Sequence, residues 1–196
     1  MRKHMSQPKM KDRDFILLVI ATCQDSEEFG RTSLQKVAYL AGEILHRNLG
    51  HRPHYFGPYS PALEQEVETL VLSGYIQEKL IPLGFTGSGG FEGRKYEYRV
   101  TAHGMTRLKA VKEAHPIERQ RLEAVIRAIE EAAGGFDQRV LSPAAKTLYI
   151  TMNEKRPLSA HKIRDLAKDL GWTLSSSQVT RVATVLERLD LISRSN

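Results

Sequence analysis

Tyr75-Ile-Gln-Glu-Lys-Leu-Ile-Pro82, followed after a glycine-rich interval by Tyr96-Glu-Tyr-Arg-Val-Thr-Ala-His-Gly-Met-Thr-Arg-Leu108, is the stretch whose reading decides the fold. The first run reads as a strand. In the second, Tyr96, Tyr98 and Val100 alternate onto one face of another strand, and the chain from Thr101 opens a helix. The interval Gly84-Phe-Thr-Gly-Ser-Gly-Gly-Phe-Glu-Gly-Arg-Lys95 is then a flexible hairpin connection. It lacks the G-x-x-x-x-G-K-(S/T) spacing of a phosphate loop and lies between two strands rather than ahead of a helix.

Three helices are expected upstream of this hairpin. The first covers Asp14 to Gln24 and runs into an acidic turn, Asp25-Ser-Glu-Glu28. In the second, Leu34, Val37, Ala41, Ile44 and Leu45 recur at helical spacing behind an N-cap at Thr32 or Ser33. His51 to Pro61 is a loop broken by three prolines and a glycine. Ser60 then caps the third helix with Pro61 at its first position; Leu63, Val67, Leu70 and Val71 form its buried stripe, and Gly74 ends it. The order helix–helix–helix–strand–turn–strand–helix predicts a winged helix-turn-helix domain over residues 12–114, preceded by a basic, disordered tail at 1–11.

Downstream, His115 to Ala133 predicts a long amphipathic helix with Ile117, Leu122, Val125, Ile126 and Ile129 on one side, ended by Gly134-Gly135. This linking segment, residues 115–135, is expected either to join two copies as a homodimer or to pack on its own domain. Residues 136–196 read as a second, trihelical helix-turn-helix unit. Its helices run from Ser142 to Asn153, from Ser159 to the turn at Gly171, and from Ser175 to Ile192. The fold class expected is mainly α with a small β-hairpin.

The chain has 196 residues and a formal net charge of +6. That length holds one large domain or two small ones. A single cysteine, Cys23, rules out an intramolecular disulfide or a thiolate zinc cluster. The longest apolar run, Phe15 to Ala21, is far shorter than the ~20 residues that span a bilayer. No signal peptide is recognisable, and a cytoplasmic protein with no membrane association is expected. The charge is unevenly placed. Residues 1–138 carry 19 basic and 18 acidic side chains, whereas 139–196 carry 10 and 5. A phosphate-binding surface is therefore easier to place in the last 58 residues.

Double-stranded DNA is the expected partner, read mainly by the last helix. With Val179, Val182, Ala183, Leu186 and Leu189 facing inward, Ser177, Arg181, Thr184 and Arg188 form the outward stripe. Short hydroxyls let the backbone approach DNA, and Arg181 can fork onto a guanine. Lys162, Arg164 and Lys168 on the preceding helix are placed to reach phosphates. The equivalent helix of the first unit is a poorer reader. Glu64, Gln65 and Glu68 lie on its outward face, and no basic residue occurs between Ser60 and Gly74. DNA contact from that unit would fall to Arg94 and Lys95 of the wing, or to Arg47 and Arg52. Otherwise Glu64, Gln65 and Glu68 bind a protein partner.

Other chemistry is not supported. His46, His51 and His54 have no carboxylate or cysteine beside them in the loop, so no metal site is expected. No serine, histidine or aspartate stands in a nucleophile elbow, so no catalytic residue, enzyme activity or cofactor is expected. Trp172 reads as a core plug between the last two helices.

Leu34-Gln-Lys-Val-Ala-Tyr-Leu40 and Tyr55-Phe-Gly-Pro-Tyr-Ser-Pro-Ala-Leu63, ending in Ser73-Gly-Tyr-Ile76, resemble the YwgA-like family of prokaryotic proteins. A weaker similarity runs to the Panacea domain of SocA-like antitoxins, which share a lysine-containing helix followed by a Gly-Pro turn. The join from Tyr98 to Leu108 is similar to the wing exit of PadR and MarR regulators. These resemblances imply a prokaryotic winged-helix protein acting in regulation, as an antitoxin-like adaptor or in phage defence. They supply no catalytic residues.

Overall fold

A computed structural model describes residues 9–86, 91–154 and 158–192. It is mainly helical, with one small two-stranded antiparallel sheet. The helices are α1 (Asp12–Cys23), α2 (Arg31–Ile44), α3 (Pro61–Leu72), α4 (Ala102–Ala114), α5 (Pro116–Ala133), α6 (Gln138–Glu154), α7 (Ala160–Asp169) and α8 (Ser176–Arg188); the strands β1 (Ile76–Thr86) and β2 (Phe91–Val100) lie between α3 and α4.

The hairpin is longer than the glycine-rich interval suggested. Pairing runs from Ile76 opposite Val100, through Glu78 opposite Tyr98, to Thr86 opposite Phe91, with one irregularity between Pro82 and Phe85. Residues 84–86 and 91–95 are therefore strand. Residues 87–90 lie outside the described residues, as do 1–8 of the basic tail. The sheet closes onto α4 at Gly104, where a Cβ would lie 1.9 Å from the Tyr75 carbonyl oxygen. No side chain fits there. Thr101 caps α4, its hydroxyl accepting from the Gly104 amide at 3.0 Å.

Burial explains where the helices sit. α1 is apolar all round from Phe15 to Ile20 and is buried accordingly. Buried Asp14 is held by a two-pronged Arg107 guanidinium at 2.7–3.0 Å, which compensates its lost hydration. α2 is capped two to three residues earlier than expected from Thr32 or Ser33. Gly30 holds the cap position, and the Ser33 hydroxyl accepts from the Gly30 amide at 2.7 Å. Ser60 caps α3 as its sequence indicates, accepting from Leu63 N at 3.0 Å.

One apolar core joins elements from both halves of the chain. It includes Phe15, Leu34, Leu40, Leu70, Leu122, Ile126, Ile129, Leu141, Leu148, Val182 and Leu186. α6 packs on α2 and α8, and α8 also touches α5. The core is thus continuous across the expected boundary at residue 136. A smaller cluster of Ile150, Ile163, Ala167, Trp172, Leu174 and Val179 lies under α7.

In the second half one open alternative is settled and two expectations change. The stripe Leu122, Ile126 and Ile129 is consumed inside this core, while Ile117 is 60% exposed. α6 starts at Gln138, with Pro143 inside the helix rather than Ser142 capping it. On α8, Val185 is buried, and Ala183 only partly so. No helix among the described residues is long and apolar enough to cross a membrane.

Candidate functional site

The outward face of α8 begins at Ser175, whose hydroxyl accepts from Gln178 N at 3.1 Å while Gln178 Oε1 accepts from Ser175 N at 2.9 Å. This reciprocal cap fixes the first turn. Ser177, Arg181, Thr184 and Arg188 are all exposed. At about 100° per residue they share a stripe about 60° wide. Arg181 also acts electrostatically on Asp137, which Arg139 grips at 2.7 Å.

The surrounding charges are less free than their count suggests. Arg164 donates to the Ser176 hydroxyl at 2.9 Å and so braces the start of α8 rather than projecting from α7. Lys168 lies 3.3 Å from Asp165, which also faces His161 at 3.0 Å. Lys162 is exposed. Lys146 turns inward, its ammonium 5.8 Å from the centre of the Trp172 ring. On the hairpin, Lys95 pairs with Glu97 at 3.0 Å, and the Arg94 side chain lies outside the described ones. Arg47 is buried against Asp12 at 2.6 Å, so it is not presented to a ligand.

The α3 face forms a second surface. Leu34, Leu63, Val67, Val71 and Leu72 line a cleft of about 270 Å³ between α2, α3 and the hairpin. Glu64, Glu68 and Glu78 rim it. Arg31 enters from α2, with Glu78 at 2.9 Å, Glu64 at 3.7 Å and the Tyr96 ring centre at 3.9 Å. Burial alone would lower the Arg31 pKa; hydrogen bonds with Glu78 and Tyr98 more than offset that and raise it. Gln65 is exposed on the same helix but does not line the cleft. Arg31, Glu78 and Leu72 were not singled out in the sequence, although Leu72 falls out of phase with the buried stripe of α3.

Between these surfaces lies a polar junction. Gln35 clasps the Ser60 backbone from both sides, Nε2 donating to its carbonyl at 3.1 Å and Oε1 accepting from its amide at 2.9 Å. Lys36 is 2% exposed, and its Nζ donates to the Pro58 carbonyl at 2.6 Å. Burial, and then the nearby Lys146 charge, push Lys36 down to about 8. Gly57, at φ +105°, makes room for both lysines. A Cβ there would sit 3.1 Å from Lys146 Cγ and 3.6 Å from Lys36 Cε. The Gly-Pro-Tyr-Ser stretch is therefore a structural knot. Trp172, buried as expected, extends it by donating Nε1–H to the His54 carbonyl at 2.6 Å.

The loop histidines are dispersed. His51 packs on Tyr39 at 5.0 Å and His54 on Tyr59 at 4.8 Å. Among the described residues no group of three or more His, Cys, Asp or Glu is disposed to hold a metal ion. Comparison with protein-family models and with curated proteins finds no match to this chain.

Proposed function

We propose that the protein is a DNA-binding regulator with a winged helix-turn-helix over residues 12–114 and a second helix-turn-helix at 136–196, in which α8 makes the main DNA contact. The observation that carries this reading is the capped first turn of α8 with Ser177, Arg181, Thr184 and Arg188 exposed on one stripe. Lys162 and Lys168 on α7 flank it as phosphate contacts, and Lys95 and Arg94 on the hairpin serve as an auxiliary pair. The likeness of the Tyr98–Leu108 join to regulator wing exits supports the same reading. A homodimer belongs to it, with α5 offering Ile117 rather than its buried stripe.

The test is selection of a duplex from a random pool, followed by titration over a range of salt. Binding should weaken by ~0.9 log units per log unit of salt for each neutralised phosphate. Arg181→Ala should cost about 1–3 kcal/mol and relax base preference at one position. Absence of binding at low salt, or indifference to Arg181→Ala, refutes the assignment.

A second reading is favoured by the cleft on α3: an antitoxin-like or adaptor protein that binds a protein partner through Glu64, Gln65 and Glu68. An apolar floor ringed by carboxylates suits a polypeptide and repels phosphate. A photo-crosslinker in place of Leu72 should trap a partner in cells, and Glu64→Lys with Glu68→Lys should abolish the adduct. A crosslinker that traps nothing counts against this reading.

A further inference from the structure

The cleft on α3 has a shape and a charge pattern that together specify its occupant. Its α3 wall is built from Leu63, Glu64, Val67, Glu68, Val71 and Leu72. These residues recur in pairs every four positions and so form ridges over about 13 Å of helix. Glu78 and Tyr98, opposite one another in the strand register, make the facing wall. Such ridges receive the ridges of another helix.

The charge is one-sided. Three carboxylates line the cleft against one guanidinium, and Arg31 is already engaged with Glu78 and Glu64. Glu68 is exposed and has no ion-pair partner among the described residues. The apolar surface also outruns the cleft. Leu72 is 88% exposed at the end of α3, and Leu80, 46% exposed, follows Glu78 on the same face of β1. Exposed leucines on both walls exceed what a small molecule in about 270 Å³ would cover.

We infer that this cleft receives an amphipathic helix of a partner protein, its apolar stripe laid along Val71 and Leu72 above the buried floor of Leu63 and Val67 and bordered by Lys or Arg that meet Glu64, Glu68 and Glu78. The inference rests on the partner-binding reading and names the chemistry of the partner segment. Apolar anchors at i, i+3 or i+4 and i+7 match the four-residue recurrence of the wall, and the net negative rim selects basic flanks over acidic ones.

The test uses the full chain and a labelled synthetic helix of Leu and Lys, about 18 residues long. A Leu/Glu twin and a scrambled Leu/Lys peptide without the stripe are the controls, and binding is read by fluorescence anisotropy at about 0.15 M salt. The striped Leu/Lys helix should bind at least about tenfold more tightly than the scrambled one, and the Leu/Glu twin should not bind. Glu68→Lys should weaken binding about tenfold and Leu72→Ser several-fold. Both residues are exposed, so far-UV dichroism and melting should remain those of the parent. Arg181→Ala should leave peptide binding unchanged. Binding that ignores Glu68→Lys and Leu72→Ser overturns the inference, as does preference for the Leu/Glu twin. Self-association of the chain abolished by Leu72→Ser assigns the cleft to a second copy and also overturns it. If the Leu72 crosslinker traps a protein while the striped helix does not bind, the helix chemistry fails and the partner-binding reading stands. If neither gives a signal, both fail.

Discussion

α3 and α8 are built alike and present opposite surfaces. Each starts at a serine whose hydroxyl accepts from the amide three residues on, at 3.0 Å in α3 and 3.1 Å in α8. Each buries a stripe in the common core: Leu63, Val67 and Leu70 in one, Val182, Val185 and Leu186 in the other. The outward faces differ. Glu64 and Glu68 border an apolar cleft on α3, whereas Ser177, Arg181, Thr184 and Arg188 stand on α8. Caps and buried stripes determine where a helix sits, and only the outward side chains decide what it can touch. A capped helix with a buried stripe is no argument for DNA when its outward face is acidic.

The largest expected effect tests whether the two helices belong to one cooperative unit. Trp172 packs edge-on against Tyr149 at 5.8 Å and ties the α7–α8 turn to the His54 carbonyl. Trp172→Ala should destabilise the protein by about 3–5 kcal/mol. Because the core runs through both halves, thermal unfolding should remain a single transition, lowered in midpoint. Two transitions in calorimetry, with only the later one keeping its temperature, would separate α3 and α8 into independent units and break the comparison.

The next effect concerns the knot between them. Lys36 titrates at about 8 in the folded protein against 10.5 when unperturbed, so between these values the unfolded chain binds more protons. Stability from this group therefore rises with pH from about 8 to 10.5, by about 3 kcal/mol. His51, pushed down to about 4 by burial and by Lys36, adds a second rise between about 4 and 6.5. Cys23, Tyr39 and Tyr98, all raised by burial, work in the opposite sense at alkaline pH, and Glu43, raised by burial, does so in acid. The readout is the difference between parent and Lys36→Met in denaturant melts across pH. The variant should gain most at pH 7, converge on the parent above pH 10, and show a weaker acid limb because His51 loses a cationic neighbour. A difference independent of pH would show that Lys36 is not the titrating group.

Helical stripes were legible because burial imposes a 3.6-residue period on the apolar residues; the serine cap of α3 stands where the sequence marks it, and α7 and α8 begin just after the serines expected to open them. The length of the hairpin was hidden. Backbone pairing skips Gly84 and Gly93 at the irregularity and resumes at Phe85 opposite Glu92, inside a segment whose composition signals a loop, because ladder hydrogen bonds do not need side chains. The surplus of positive charge after residue 138 was readable as a sum but not as a surface. Lys146 lies half-buried over Trp172, and Arg164 bonds to Ser176, so part of that charge is already engaged within the fold. The glutamates of α3 were readable from their phase. The cleft itself was not, because Arg31, Glu78 and Tyr98 reach it from other elements.

The smallest effect probes the feature the two helices share. Ser60 and Ser175 perform the same capping task, yet Ser60 is wholly buried and its hydroxyl also donates to the Leu49 carbonyl. Ser175 is exposed, and water replaces whatever its side chain gives up. Ser175→Ala should therefore cost about 0.5–1 kcal/mol, the ordinary loss of a solvated cap. Ser60→Ala leaves both the Leu63 amide and the Leu49 carbonyl short of a partner in the interior, and should cost about 2 kcal/mol. Urea melts of the two variants measure the gap directly. Equal costs would mean that water reaches the Gly-Pro-Tyr-Ser knot, which would weaken the contrast between a braced α3 and an exposed α8. A larger cost at Ser60 than at Ser175, with an unchanged dependence on urea, ties the acidic helix to the core more rigidly than the basic one.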